Sequence, residues 1–129
     1  MKKLTDEMIQ GAIDRNPEYE VVPKVAINPA TCKADLLGIC AVDAGFLEGY
    51  DLTYCYPTIG RMGKHIGLDA NYSSGVAHGF DNLISAYTAV QGPGWTDRPA
   101  YREGLAVGQK WREKLGYPVA RDNAAEATS

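Results

Sequence analysis

The segment TCKADLLGICAVDAGFLE, residues 31–48, contains the most apolar continuous stretch of the chain, residues 34–47. Its apolar residues spread around most of a helical circumference, and a helix that is apolar on nearly all sides usually lies in the centre of a protein. Thr31 is a suitable N-cap, and Gly49 is a typical C-terminal stop. The segment therefore predicts a helix over 31–48 that is central to the fold.

Four further helices are predicted from capping residues and apolar spacing. The first begins after Thr5 and ends at Asn16, because the residue before a proline is pushed out of the α region. A short helix spans 58–67, and the next spans 73–91, with apolar residues at steps of four and three. This apolar stripe comprises Val76, Phe80, Leu83, Tyr87 and Val90.

The last predicted helix is capped by Thr96 or Asp97 and stops at Gly116. Its inner face comprises Tyr101, Leu105, Gly108, Trp111 and Leu115.

Glycine pairs four residues apart, Gly75/Gly79 and Gly104/Gly108, occur in the last two predicted helices. Glycine inside a helix costs roughly 0.5–1 kcal/mol relative to alanine, so such pairs indicate a close approach of two backbones. We expect the helix over 31–48 to approach Gly108, through its own Gly38 or Gly45. The alternative is that some of these glycines mark helix breaks.

These segments predict an all-α fold, a compact irregular or orthogonal bundle of four to five helices. The alternative is a small α+β fold in which residues 19–27 and 52–56 form a two-stranded element, although Pro23 interrupts the first segment. A chain of 129 residues fits one domain over 1–129, with 121–129 as a flexible tail.

Composition and sequence pattern argue against several function classes. The net charge of −3 argues against nucleic-acid partners and anionic membranes, which demand a basic surface. No apolar run is long enough to span a bilayer, and none follows the N-terminal lysines as in a secretory signal. The spacings of Cys32, Cys40 and Cys55 match no zinc pattern, so we expect reduced thiols, a cytoplasmic location, and neither metal nor cofactor.

Three residues are candidates for catalysis if the protein is an enzyme. His78 has Asp81 one turn away on the same helix, a spacing at which a carboxylate can orient a general base. The commoner interpretation is an exposed polar face. Asp43 lies within the most apolar helix, where a carboxylate needs an ion pair, a hydrogen bond or a shifted pKa. We interpret Asp43 first as a structural ion pair and second as a site residue, and Cys40 as inert core.

Four aromatic residues fall in or near predicted loops and are candidates for partner binding: Tyr54, Tyr56, Tyr72 and Trp95. Tyr and Trp favour interfaces, although loop aromatics also fold back to cover a core. The sequence favours a small non-enzymatic protein-binding, accessory or regulatory module that binds a partner protein or self-associates, for instance as a homodimer. The alternative is a small enzyme or ligand-binding protein with a polar pocket between helices 31–48 and 73–91.

The cysteines allow a direct test of the expected reduced state. Because the chain shows no secretory signal and an odd number of cysteines, all three should be free thiols. Ellman titration of the denatured, non-reduced protein should find three thiols per chain. A value near one would show a disulfide instead.

Overall fold

The computed structural model describes residues 2–46, 56–82, 94 and 97–118. Helices predominate over these residues, and a small three-stranded sheet accompanies them. In chain order the elements are α1 Asp6–Arg15, β1 Glu20–Val21, β2 Ile27–Asn28, β3 Lys33–Ala34, α2 Leu36–Asp43, α3 Tyr56–Ile66, α4 Ala70–Asp81 and α5 Pro99–Lys114. The expected helical majority is confirmed, but the fold is not purely all-α.

The boundaries of α1 are those that the sequence predicts. Thr5 is the N-cap, and its hydroxyl accepts a hydrogen bond from the backbone N–H of Met8 at 3.1 Å. The helix ends at Arg15, one residue before Asn16-Pro17. Ile9 and Ala12 form its buried side.

The predicted helix over 31–48 is shorter in the structure, where α2 covers Leu36–Asp43. Asp35, and not Thr31, is the N-cap, because its Oδ1 accepts a hydrogen bond from the N–H of Gly38 at 2.7 Å. Cys32 has a left-handed φ of 54°, which is incompatible with a helix at that position. Gly45, with a left-handed φ of 85°, follows the C-terminal end of α2. The helix contacts α1, α3, α4 and two strands, as a central helix should.

The sheet has the order β1-β3-β2, with β3 parallel to β1 and antiparallel to β2. Residues 19–27 thus contribute to strands, as the α+β alternative proposed. The strand between the other two is Lys33–Ala34. Residues 52–55 of the proposed second segment lie outside the described residues, and its last residue, Tyr56, begins α3 instead of ending a strand. Strands of two residues are too short to show the alternation by which strands are predicted.

The helix predicted over 73–91 begins earlier, at Ala70. The carboxylate of Asp69 accepts hydrogen bonds from the N–H groups of Asn71 and Tyr72, so it is the N-cap. Asn82 adopts the left-handed conformation that ends a helix, and residues 83–91 lie outside the described residues.

Two faces predicted to be apolar do lie in the core where they are described. Within α4, Val76 and Phe80 are completely buried. Within α5, Tyr101 and Trp111 are also completely buried, and Gly116 follows the helix with a φ of 90°. Within the described ranges, every helix falls short of the length and apolar content that a bilayer-crossing helix needs.

The close backbone approach predicted at Gly108 is present, but its partner is α4. A methyl group at Gly108 would overlap the carbonyl oxygen of Val76 and lie 2.7 Å from the nitrogen of Phe80. The other three glycines of the two pairs meet the facing backbone in the same way. The expected contact with helix two through Gly38 or Gly45 is therefore wrong.

Gly38 of α2 is close to a different backbone. A methyl group there would overlap the carbonyl oxygen of Ala26, which lies just before β2. A methyl group at Gly45 would meet open space, so only the left-handed backbone conformation favours glycine at this position.

Gly108→Ala should destabilise the fold, because the added methyl has no room between two helix backbones. Overpacking of this kind costs about 1–3 kcal/mol. Gly60→Ala is the matched control, since Gly60 is an exposed helical glycine with nothing within 4 Å of an added Cβ. It should stabilise the fold by about 0.4–1 kcal/mol. Urea unfolding measures both, and a stabilised Gly108→Ala variant would disprove the tight contact.

Candidate functional site

The three catalytic candidates from the sequence do not form one cluster. Asp43 is the last residue of α2, whereas Asp35, the N-cap before the first residue of α2, lies beside Asp81. Eight helical residues separate these ends by about 12 Å. The structure therefore places two different groups of polar residues along α2.

Asp43 forms a structural ion pair. Its two carboxylate oxygens accept hydrogen bonds from Nε and Nη2 of Arg15 at 2.9 and 2.7 Å, and Asn16 Nδ2 donates a third at 3.2 Å. The hydrogen bonds from Arg15 lower the pKa of Asp43. The carboxylate is thus ionised and held in place, which suits a structural role and the edge of a binding site better than proton transfer.

His78 lies in the core, not on the exposed polar face that the sequence suggested. It is 2% exposed, and its Nδ1 lies 3.3 Å from the hydroxyl of Tyr101 on α5. Burial lowers the pKa of His78 from its usual 6.5 to about 4. The close contact of α4 with α5 is the reason for this burial, since it covers the face that carries His78.

Asp81 is completely buried and belongs to a carboxyl pair with Asp35, which is also completely buried. Oδ1 of Asp81 accepts a hydrogen bond from the backbone N–H of Lys24 at 2.8 Å. Burial raises the pKa of both carboxyl groups, and the neighbouring Asp81 raises that of Asp35 further. Sequence reasoning did not find this pair. The available signal was an aspartate directly before an apolar run, in N-cap position.

A groove of about 330 Å³ lies where α1, α2 and the end of α3 meet. This volume is near the lower end of the range for ligand pockets, about 300–1,000 Å³. Its lining residues are Lys2, Leu4, Met8, Ala12, Arg15, Cys40, Asp43, Ala44 and Ile66. Six of these nine residues are apolar, and the other three are Lys2 and the Arg15–Asp43 ion pair. The surface of the groove is about half polar and half apolar. We take this groove as the candidate functional site.

The groove is not evident from the sequence, because each of its three helices contributes only a few lining residues. In the sequence the apolar residues of this set resemble any other buried residues of a helix. Only the angles at which the helices meet leave a space between them.

The predicted partner-binding aromatics are only partly described. Tyr72 lies in the core at 2% exposure, and its hydroxyl accepts a hydrogen bond from the N–H of Leu4 at 3.1 Å. In this conformation it cannot contact a partner. Tyr56 is the first residue of α3, while Tyr54 and Trp95 lie outside the described residues.

Neither of the two described cysteines forms a disulfide, and the thiol of Cys40 is unreactive. Cys40 is buried at the groove, and burial raises the pKa of its thiol to about 12, so the nucleophilic thiolate is disfavoured. Cys32 and Cys40 are both free, and Cys55 lies outside the described residues. Among the residues that the structure covers, no three His, Cys, Asp or Glu side chains converge as a metal site requires.

Comparison with protein-family models, with curated proteins and with solved structures gives no match. The function therefore has to be inferred from the chemistry and geometry of the site itself.

The buried imidazole of His78 should make the fold sensitive to acid. Between about pH 6.5 and about pH 4, the unfolded chain binds a proton at this residue that the folded chain does not bind. The contribution of His78 to the free energy of unfolding should therefore fall by up to about 3 kcal/mol as the pH falls through this window. Urea unfolding of the wild type and of His78→Gln measures the difference.

The glutamine variant should lack this contribution because it carries no titrating group. ¹⁵N NMR of the imidazole provides an independent check of the protonation state. A His78 resonance that titrates near pH 6.5 in the folded protein would contradict the assignment.

Proposed function

We propose that the protein is a small non-enzymatic binding module, and that the groove between α1, α2 and α3 accepts an apolar side chain of a partner protein. The observation that carries the proposal is the composition of the groove, in which six apolar residues and three charged residues form the lining. Protein-binding sites commonly have this arrangement, in which an apolar anchor is buried and polar contacts surround it.

The apolar lining supports the burial of an anchor residue. Leu4, Ala12 and Ile66 are themselves almost completely buried, so they form a firm surface. Met8 is only partly buried, and methionine adapts its shape to different ligands. A side chain the size of leucine or phenylalanine would bury its apolar area there and gain about 1.5–3 kcal/mol.

The charges at the groove favour a partner with a carboxylate beside its apolar residue. The Arg15–Asp43 ion pair is electrically neutral, which leaves the exposed Lys2 as the uncompensated charge of the lining. When the apolar anchor of the partner occupies the groove, a carboxylate next to that anchor can approach Lys2. Neither the carboxylate nor Lys2 is then buried without an opposite charge. The attraction between this carboxylate and Lys2 contributes more to the orientation of the partner than to its affinity.

The burial of the acid–base candidates supports binding over catalysis. His78 and Asp81 are at most 2% exposed, so a substrate cannot reach them in this conformation. The space between α2 and α4, where the alternative function places a polar pocket, holds the Asp35–Asp81 pair. Self-association through the same groove is one form of this function, in which the partner is a second copy of the chain.

The groove can be tested with peptides selected from a random display library against the immobilised protein. Selected peptides should contain a large apolar residue next to Asp or Glu. Met8→Glu should weaken their binding at least tenfold, about 1.4 kcal/mol, because it places a carboxylate in the apolar lining. Gln10→Glu is the matched control, since it adds the same charge on the exposed side of the same helix.

Isothermal titration calorimetry gives the affinities, and ¹⁵N NMR maps the bound surface. Light scattering of the free protein shows whether a second copy is the partner. Peptides that perturb a distant surface, or that bind both glutamate variants equally, would contradict the proposed site.

A further inference from the structure

The carboxyl pair of Asp35 and Asp81 joins parts of the chain that are far apart in sequence. Asp35 lies between β3 and α2 and caps α2 through Gly38. Asp81 is the last residue of α4 and binds the N–H of Lys24 in the turn between β1 and β2. The pair thus connects the sheet, the start of α2 and the end of α4 at one buried point.

Each carboxyl group uses one oxygen for a backbone N–H and leaves the other without a hydrogen-bond partner. These free oxygens are Oδ2 of Asp35 and Oδ2 of Asp81, the two buried side-chain polar atoms without a partner in the part of the chain that the structure describes. Both residues are held at the turn between β1 and β2, since Asp81 binds Lys24 there and the backbone N–H of Asp35 donates to the carbonyl oxygen of Ala26 at 3.4 Å. Each carboxyl group affects the pKa of the other. Two ionised carboxylates only accept hydrogen bonds, so they cannot satisfy one another.

We propose that Asp35 and Asp81 hold one proton between them and form a proton-dependent latch between the start of α2 and the end of α4. With the proton on Asp35, its O–H donates to Asp81, and both free oxygens are satisfied. Loss of the proton places two negative charges side by side in the core, where they repel strongly. The latch then opens, and the α2 cap and the Lys24 turn lose their support.

The surrounding charges determine which carboxyl group keeps the proton. Arg112 of α5 and Lys24 act on Asp81 and favour its ionised form. Arg112 is itself held by a hydrogen bond to the carbonyl oxygen of Phe80 at 2.6 Å. Cys40 of α2 interacts with Asp35, but its thiol is neutral because burial raises its pKa to about 12. The proton therefore belongs to Asp35.

The direction of the pH effect follows from the protons bound in each state. The unfolded chain has both carboxylates ionised above about pH 5, whereas the folded chain keeps a proton. Stability from this pair is present at low pH and is lost as the pH rises through the folded pKa of Asp35. Near pH 6.5 the unfolded chain still binds part of a proton at His78, which gives a slope of opposite sign. Every variant that retains His78 shares this contribution, so it cancels in the comparison of the wild type with Asp35→Asn.

Urea unfolding between about pH 7 and about pH 8 tests the latch, because the unfolded chain has lost most of its proton at His78 in this range. In the wild type, the unfolding equilibrium constant should rise about tenfold per pH unit, the slope for one linked proton. Asp35→Asn should remove this slope, because the amide accepts from Gly38 and donates to Asp81 without titrating. Asp43→Asn is the control, since it removes a carboxylate at the other end of α2 and should leave the slope unchanged.

A second measurement does not require the variants to fold. In the wild type, the ¹³C shift of the Asp35 carboxyl carbon should be that of a protonated acid at neutral pH. An Asp35 that titrates near its ordinary pKa of about 4, or an Asp35→Asn variant with the wild-type slope, would overturn the proposal. Neither the pH dependence of unfolding nor the ¹³C shift involves a ligand in the groove. A negative result for the latch would therefore not bear on the proposed binding function.

Discussion

The contact between the backbones of α4 and α5 is the constraint on which the remaining structure depends. Each helix contributes two glycines one turn apart, and each glycine faces a carbonyl oxygen or amide nitrogen of the other helix. Any side chain at these positions would separate the helices. Their close approach brings many main-chain atoms into van der Waals contact and explains why this helix pair has the most extensive interface among the described elements.

This close contact determines which residues of α4 are buried. The run from Tyr72 to Asp81 is buried on all sides, so its polar residues cannot reach water. His78 consequently meets Tyr101 and has a lowered pKa, while Asp81 meets Asp35 and has a raised one. The lowered pKa of His78 is therefore a consequence of how closely α4 packs against α5, whereas the raised pKa of Asp81 comes from its burial beside Asp35.

The groove also depends on α4 and α5, although neither helix contributes a lining residue. Tyr72 of α4 binds the backbone of Leu4, which keeps the segment before α1 against the core. Asp6 of α1 accepts hydrogen bonds from Lys110 and Trp111 of α5, at 2.6 and 3.0 Å. These contacts position α1 so that its apolar side stands beside α2 and leaves the groove between them. Asp35 and Asp43, at the two ends of α2, are thus held by different contacts.

The sequence by itself determined the helical majority, the limits of α1, the buried stripe of α4 and the need for close packing at Gly108. These features depend on local rules, namely capping, apolar spacing and the absence of a side chain on glycine. Tertiary structure alone decided that α4 is the partner of α5, that Asp81 meets Asp35, and that a groove lies beside Asp43. The reason is that local patterns specify which face of a helix is buried, whereas the partner of that face depends on the whole packing arrangement.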